Sequence, residues 1–198
     1  AGRKSQEDEL RRVSFQSSGW LQMKVSHSKL KGCVIIEPRV FGDERGFFLE
    51  TFQTVRYQQE AGIDLAFVQD NHSFSKKNIL RGIHYQLPPF AQGKLVRVIS
   101  GTVYDIGVDL RKNSPTFGRW AGEYLSDINN KQLWIPEGFG HAFYVISESA
   151  HFLYKTTNYY NKESEGCLIW NDNVLGIDWN VSNPFISPKD MNGLHFKD

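Results

Sequence analysis

From residue 33 onward the chain is a series of short apolar runs interrupted by Gly, Pro, Asn and Asp. Cys33-Val34-Ile35-Ile36 stops at Pro38, and Gly46-Phe47-Phe48-Leu49-Glu50 follows a charged turn, Gly42-Asp43-Glu44-Arg45. Lys94 to Ile99 reads as a strand and Ser100-Gly101 as the turn after it. Thr102 to Leu110 alternates: Tyr104, Ile106, Val108 and Leu110 share one face, and Val103, Asp105, Gly107 and Asp109 the other. Further strands are expected at Gln132–Ile135, Ala142–Ile146, Phe152–Thr157 and Cys167–Trp170. A helix suits Thr54–Glu60, ended by Gly62. There is no strand–helix–strand rhythm and no repeat. With turn residues every ~8–12 positions, the pattern specifies an all-β sandwich or barrel with a few short helices.

Residues 1–22 break this pattern. They are polar and charged without an apolar period, and the strand-like sequence starts at Met23. They read as an expression remnant or a loose arm outside a single domain of residues 23–198; the alternative is a native extension that packs on a partner subunit. One domain is also what 198 residues with 40% hydrophobic content support. The aromatic share, 14 Phe, 8 Tyr and 5 Trp, favours strands. A net charge of +1 supplies no global field toward nucleic acid or membrane, so anion binding must come from local clusters. Cys33 and Cys167 make neither a Cys-x-x-Cys pair nor a disulfide framework, and idle thiols in a reducing cytoplasm are expected. No apolar run approaches ~18 residues and no secretory leader pattern is seen. In a cytoplasmic chain the sequons Asn71-His72-Ser73 and Asn180-Val181-Ser182 are chance matches.

The chemistry concentrates between Leu80 and Arg97. Leu80-Arg81-Gly82-Ile83-His84-Tyr85-Gln86 and Gln92-Gly93-Lys94-Leu95-Val96-Arg97 read as one hairpin, which would put Lys94 on the strand paired with that of His84. An imidazole removes a proton, an ammonium holds the negative charge left behind, and arginines suit phosphate. Arg81 and His84 are three apart, so an ideal strand points them to opposite faces unless Gly82 marks a bulge. Gln69, Asn71 and Ser73 alternate, either as a solvated sheet face or as the polar wall of a pocket. Pro136-Glu137-Gly138-Phe139-Gly140-His141 sets a tight turn from which His141 enters the next strand. A metal-binding cupin needs a His-x-His and a following Glu where this chain has His84-Tyr85-Gln86, so no metal site is expected. Tyr154 can deliver a proton if its hydroxyl faces a cleft, and Tyr159 and Tyr160 offer flat faces to a planar ring. Ser187-Pro188-Lys189-Asp190, by itself, reads as a tail turn.

Several of these segments together resemble one family. They are Phe41-Gly42-Asp43-Glu44-Arg45-Gly46-Phe47-Phe48, Phe67-Val68-Gln69-Asp70-Asn71-His72-Ser73, Leu80-Arg81-Gly82-Ile83-His84 and Gln92-Gly93-Lys94-Leu95-Val96-Arg97. Ser114-Pro115-Thr116-Phe117-Gly118, the run Gln132 to Phe139 and Trp170-Asn171-Asp172 follow in order. The family is dTDP-4-dehydrorhamnose 3,5-epimerase, and the resemblance spans about Lys31 to Asp190. It implies a cupin-type jelly roll that works as a homodimer, with neither metal nor organic cofactor, on a dTDP-linked 4-keto-6-deoxyhexose. It implies His84 as the base, Asp190 as the carboxylate behind it, Lys94 as the enolate stabiliser and Tyr154 as the proton donor from the opposite face. Arg81 and His141 match positions lining the sugar and phosphate pocket. Arg45, Glu50, Gln69, Asn71 and Lys189 match other substrate-contacting positions, and Phe41, Phe47 and Tyr159 match aromatic contacts to the thymidine. Where the family usually reads Ala-His-Gly-Phe, this chain has Gly140-His141-Ala142-Phe143, which keeps the histidine and alters only local pocket shape.

The implied reaction inverts the carbons on both sides of the C4 ketone. The competing readings are a 3-epimerase that inverts one centre, a metal-dependent cupin, and a sugar-nucleotide binding module without turnover. No nucleic-acid or membrane partner is expected.

Overall fold

The computed structural model describes residues 22–181 and 183–197, so the reading of residues 1–22 as an arm falls outside the described residues except for residue 22. In chain order the strands are β1 (Lys24–His27), β2 (Val34–Glu37), β3 (Val40–Asp43), β4 (Gly46–Leu49), β5 (Gln69–Lys76), β6 (Ile79–Gln86) and β7 (Lys94–Ser100). They continue as β8 (Thr102–Asp109), β9 (Trp120–Ser126), β10 (Gln132–Ile135), β11 (Phe139–Val145), β12 (Ser149–Thr156), β13 (Glu165–Cys167) and β14 (Phe185–Ile186). One sheet has the order β1-β2-β10-β7-β12-β5, and the sheet facing it β13-β6-β11-β8-β9, with β14 also paired to β6. The chain passes back and forth between two facing sheets over one core, which is the cupin-type jelly roll.

The alternation along β8 decides what lies inside. Val103 packs between the sheets with Val96, Val98, Leu133, Phe139, Phe143 and Phe152. Ile106 and Val108 point the other way, onto Leu80, Ile83, Ala142, Leu168 and Trp179, where the C-terminal segment covers the second sheet. The outer face of the first sheet is covered by helix α1 (Thr54–Ala61), whose Tyr57 and Ala61 pack on Ile36, Leu95 and Trp134. The helix starts where the Gln53 side chain accepts from the Arg56 N–H, and ends at Gly62, whose φ of 68° favours glycine.

Three expectations need correction. Cys167–Trp170 is not a strand: the strand is Glu165–Cys167, and the chain turns at Trp170. β9 was not foreseen, because its half-exposed, weakly alternating residues carry little strand signal. The third is the hairpin from Tyr85 to Lys94. β6 belongs to the second sheet and β7 to the first, and Lys94 pairs with Ile135 and Thr156. Pro88 and Pro89 in the connection supply no N–H to a ladder. Gly93 then lets the chain pass Trp134 so closely that a Cβ would sit 2.4 Å from the indole.

Phe152 is 1% exposed and stacks on Phe143 with ring centroids 4.3 Å apart. Phe152→Ala is expected to lose about 3–5 kcal/mol of stability, and Phe152→Leu less than half of that, as read by urea unfolding.

Candidate active site

The site starts from a defect in β6. His84 lies opposite His141 and Arg81 opposite Phe143, so three steps on β6 match two on β11. The extra residue is a bulge, and it turns both Arg81 and His84 toward the inner face despite their odd spacing. Gly82 takes φ 119° there, and a Cβ on it would lie 2.4 Å from the Ala142 Cβ.

The end of the chain supplies the partner of His84. Ser187 caps the short helix α2 (Pro188–Met191) by accepting from the Asp190 N–H at 3.1 Å. That places Asp190, 3% exposed, with Oδ1 2.7 Å from His84 Nε2 and Oδ2 accepting from the Gly82 N–H at 3.2 Å. Burial would raise the Asp190 pKa, but the bonds from His84 and Gly82 and the charge of Lys189 outweigh it and hold the carboxyl below its usual range.

The first sheet supplies the opposite wall. Lys94 is buried, and its ammonium donates to the His84 carbonyl at 3.4 Å. Burial lowers its pKa to about 8, with Asp105 and Glu165 pulling the other way. Tyr154 lies opposite Asn71 on β5 and packs against the inner core; burial pushes its phenol up, and Arg81 opposes that. Gln69, Asn71 and Ser73 pair with Thr156, Tyr154 and Phe152, so they share the inward face: the pocket-wall alternative is the one the register supports. Arg81 donates to Ser75 Oγ at 2.9 Å across the two sheets. Next to Lys94, the buried His141 Nε2 lies 2.8 Å from Asp105 Oδ2, and its ring stacks on Phe152. Burial pushes His141 down and Asp105 up, each toward its neutral form.

This arrangement can remove a proton at His84, hold charge at Lys94 and return a proton from Tyr154. The family model described as dTDP-4-dehydrorhamnose 3,5-epimerase matches residues 27–198. The chain belongs to the dTDP-4-dehydrorhamnose 3,5-epimerase family. A relative of that name from Shigella flexneri is 53% identical over 176 residues, covering 89% of this chain and 97% of its own. A Legionella pneumophila structure described as a dTDP-6-deoxy-D-glucose-3,5-epimerase in complex with dTDP-4-keto-L-rhamnose superposes with a TM-score of 0.86. It is 48% identical and covers 89% of this chain and 94% of its own. A Streptomyces niveus protein named dTDP-4-dehydrorhamnose 3-epimerase matches at 35%, covering 87% of this chain and 83% of its own.

Not every residue that the epimerase resemblance singles out meets at His84. Arg45 sits at the tip of the β3–β4 hairpin with its guanidinium 2.5 Å from Asp43. Phe41 lies under the Arg39 guanidinium on the same hairpin, Phe47 is 66% exposed, and Glu50 is ion-paired with Arg56. Tyr159 is an exposed ring whose carbonyl is held by Gln86. Lys189 flanks Asp190 but is 2.5 Å from Glu165. A hollow on the first sheet is lined by Leu95, Arg97, Leu153 and Lys155, with Asn71 and Tyr154 also at its wall.

Three residues near the site were missed. Asp105 had a signal: a charge on the same face of an alternating strand as Val103 needs a buried partner. Glu165, which contacts Lys189 and the Tyr160 hydroxyl, had none. Cys167 also had none: both thiols are free as expected, with Cys33 in the core and Cys167 opposite His84, its Sγ 3.8 Å from Asp190 Oδ1.

Gly82→Ala and Gly46→Ala share the strain of a positive φ, but Gly46 has nothing within 4 Å of the added Cβ. Gly82→Ala is expected to be the more destabilising of the two by at least about 2 kcal/mol, measured as the difference between their unfolding midpoints.

Proposed function

We propose that the protein is a 3,5-epimerase of dTDP-4-keto-6-deoxyglucose, inverting C3 and C5 through an enolate on the route to dTDP-L-rhamnose. The observation that carries the reading is the His84–Asp190 contact at 2.7 Å on one sheet, with Lys94 and Tyr154 entering from the other. A carboxylate only accepts, so the imidazole keeps its hydrogen on Nε2 and leaves the Nδ1 lone pair for the substrate. His84 takes the proton next to the ketone. Lys94, in a water-poor setting, stabilises the oxyanion that forms. Tyr154 returns a proton from the opposite face, and that inverts the centre. Arg81 and Lys189 hold the diphosphate, and His141, kept neutral by burial and oriented by Asp105, contacts the sugar. Holding the ring between two walls supplies much of the advantage. No cofactor enters the mechanism. The greater identity to a relative named 3,5-epimerase than to one named 3-epimerase favours inversion at both centres.

The working unit is a homodimer in this reading. Among the described residues the β3–β4 hairpin pairs with no other strand, and it leaves Phe47 and Phe48 66% and 65% exposed, an arrangement that a second subunit would cover. Arg45, Glu50 and Phe41 would reach the nucleotide in that assembly. The free thiols Cys33 and Cys167 suit a cytoplasmic location, and no described helix is long and apolar enough to cross a membrane.

His84→Ala is expected to lower turnover of the keto sugar nucleotide by at least about 10²–10⁴-fold. Tyr154→Phe should lose inversion more than solvent exchange when both are followed by NMR in deuterated water. Equal loss of the two removes Tyr154 from the role of second-face acid, and deuterium at only one carbon favours the 3-epimerase.

Lys94 acts in its charged form, so kcat/KM should fall as pH rises through about 8. Unfolding does not account for such a loss through Lys94. Its pKa is about 8 folded and 10.5 in the free side chain, so the unfolded chain binds more protons in that window and Lys94's contribution to stability rises with pH. A pH–rate profile beside an unfolding curve at each pH separates the two; a rate that holds level through this range overturns the role of Lys94.

A further inference from the structure

The corner behind His84 holds a group the proposed reaction does not use. Cys167 sits on β13 directly opposite His84 on β6, and its Sγ lies 3.8 Å from the same Asp190 oxygen that faces the imidazole. The other Asp190 oxygen is engaged by the Gly82 N–H. One nitrogen, one sulfur and one oxygen therefore converge, all within 4.8 Å of one another. A tetrahedral ion with zinc-like bonds needs donor separations of ~3.3–3.6 Å. The His84–Asp190 pair at 2.7 Å and the Cys167–Asp190 pair at 3.8 Å are each within an ångström of that range, and the His84–Cys167 pair is no more than 4.8 Å apart. The Cys167 residue and the His84 side chain are both partly exposed, the latter 31%, so a metal ion can reach the cluster from solvent.

The geometry points to an inhibitory metal site: His84 Nε2, Cys167 Sγ and Asp190 Oδ1 bind a zinc-like divalent cation, and its occupation switches the base off. The second half follows from the tautomer and rests on His84 being the base. Coordination at Nε2 moves the ring hydrogen to Nδ1, the nitrogen whose lone pair would take the substrate proton. Binding also releases one proton, from the Cys167 thiol, which becomes the thiolate ligand. Metal and substrate proton thus compete for one imidazole, although they use different nitrogens. The two neighbouring lysines are not both against the ion, since Lys189 is neutralised by Glu165.

Cobalt(II) titration of the whole chain reports the site without reference to turnover. A near-ultraviolet thiolate-to-cobalt charge-transfer band is expected, and it should vanish in Cys167→Ser and in Cys167→Ala. In the epimerase assay zinc should inhibit and EDTA should restore the rate. Cys167→Ser should keep the metal-free rate and need about tenfold or more zinc for the same inhibition. A native protein without the band, a band that survives in both cysteine variants, or equal zinc sensitivity of native and Cys167→Ser overturns the site. Absence of epimerisation in metal-free native protein would instead overturn the proposed function, and the cobalt band would still decide the site.

Discussion

The contact between a buried carboxylate and one nitrogen of His84 organises this molecule's chemistry. Asp190 is almost sealed from water, and a lone charge there would carry a large desolvation penalty. It is tolerable because both oxygens are used, Oδ1 by the imidazole and Oδ2 by the Gly82 amide. Those contacts pin the imidazole's tautomer and couple helix α2 to a bulge in β6. Remove the bulge and Gly82 no longer offers its N–H inward, Arg81 and His84 point to opposite faces, and helix α2 loses one of its anchors.

The sandwich adds what a single sheet cannot. Groups on one sheet approach a bound ring from one side only, whereas inversion of a carbon requires proton removal and return on different sides. Here the proposed base is on β6, and the proposed charge stabiliser and acid are on β7 and β12 of the facing sheet. The jelly roll is thereby suited to the reaction for a geometric reason: β5 to β8 alternate between the walls, so residues ten apart, His84 and Lys94, end up on facing sheets.

That crossing is also where the sequence was least legible. Alternation along Thr102–Leu110 and the turn at Gly62 depend on neighbours in the chain, and the structure has them as read. The identity of the sheet that receives β7 depends on no local pattern. Two strands joined by so short a link, residues 87–93, look like a hairpin, and only Pro88, Pro89 and the close passage of Gly93 by Trp134 argue otherwise. The odd spacing of Arg81 and His84 did predict trouble at Gly82, because strand parity is strict and a glycine is the cheapest place to break it. Asp190 was readable only by resemblance, since nothing in Ser187-Pro188-Lys189-Asp190 tells that its carboxylate meets a residue more than a hundred positions earlier.

The buried charges beside the dyad show a further constraint. Lys94 is hardly more accessible than the core valines, and Asp105 keeps one oxygen buried without a hydrogen-bond partner. Each is unfavourable to the fold taken singly. Together with His141 they form a polar cluster in which the charge that Asp105 keeps against its own burial supports Lys94, while burial erodes both. A lysine deep enough for its field to act strongly on an oxyanion is deep enough to lose its proton near neutrality, and neighbouring carboxylates limit that loss. Glu165 is also bound to Lys189, so a substrate phosphate that drew Lys189 away would leave more of the Glu165 charge to Lys94. In the proposed reaction, binding at the diphosphate end would then strengthen the cation at the keto end when the enolate forms.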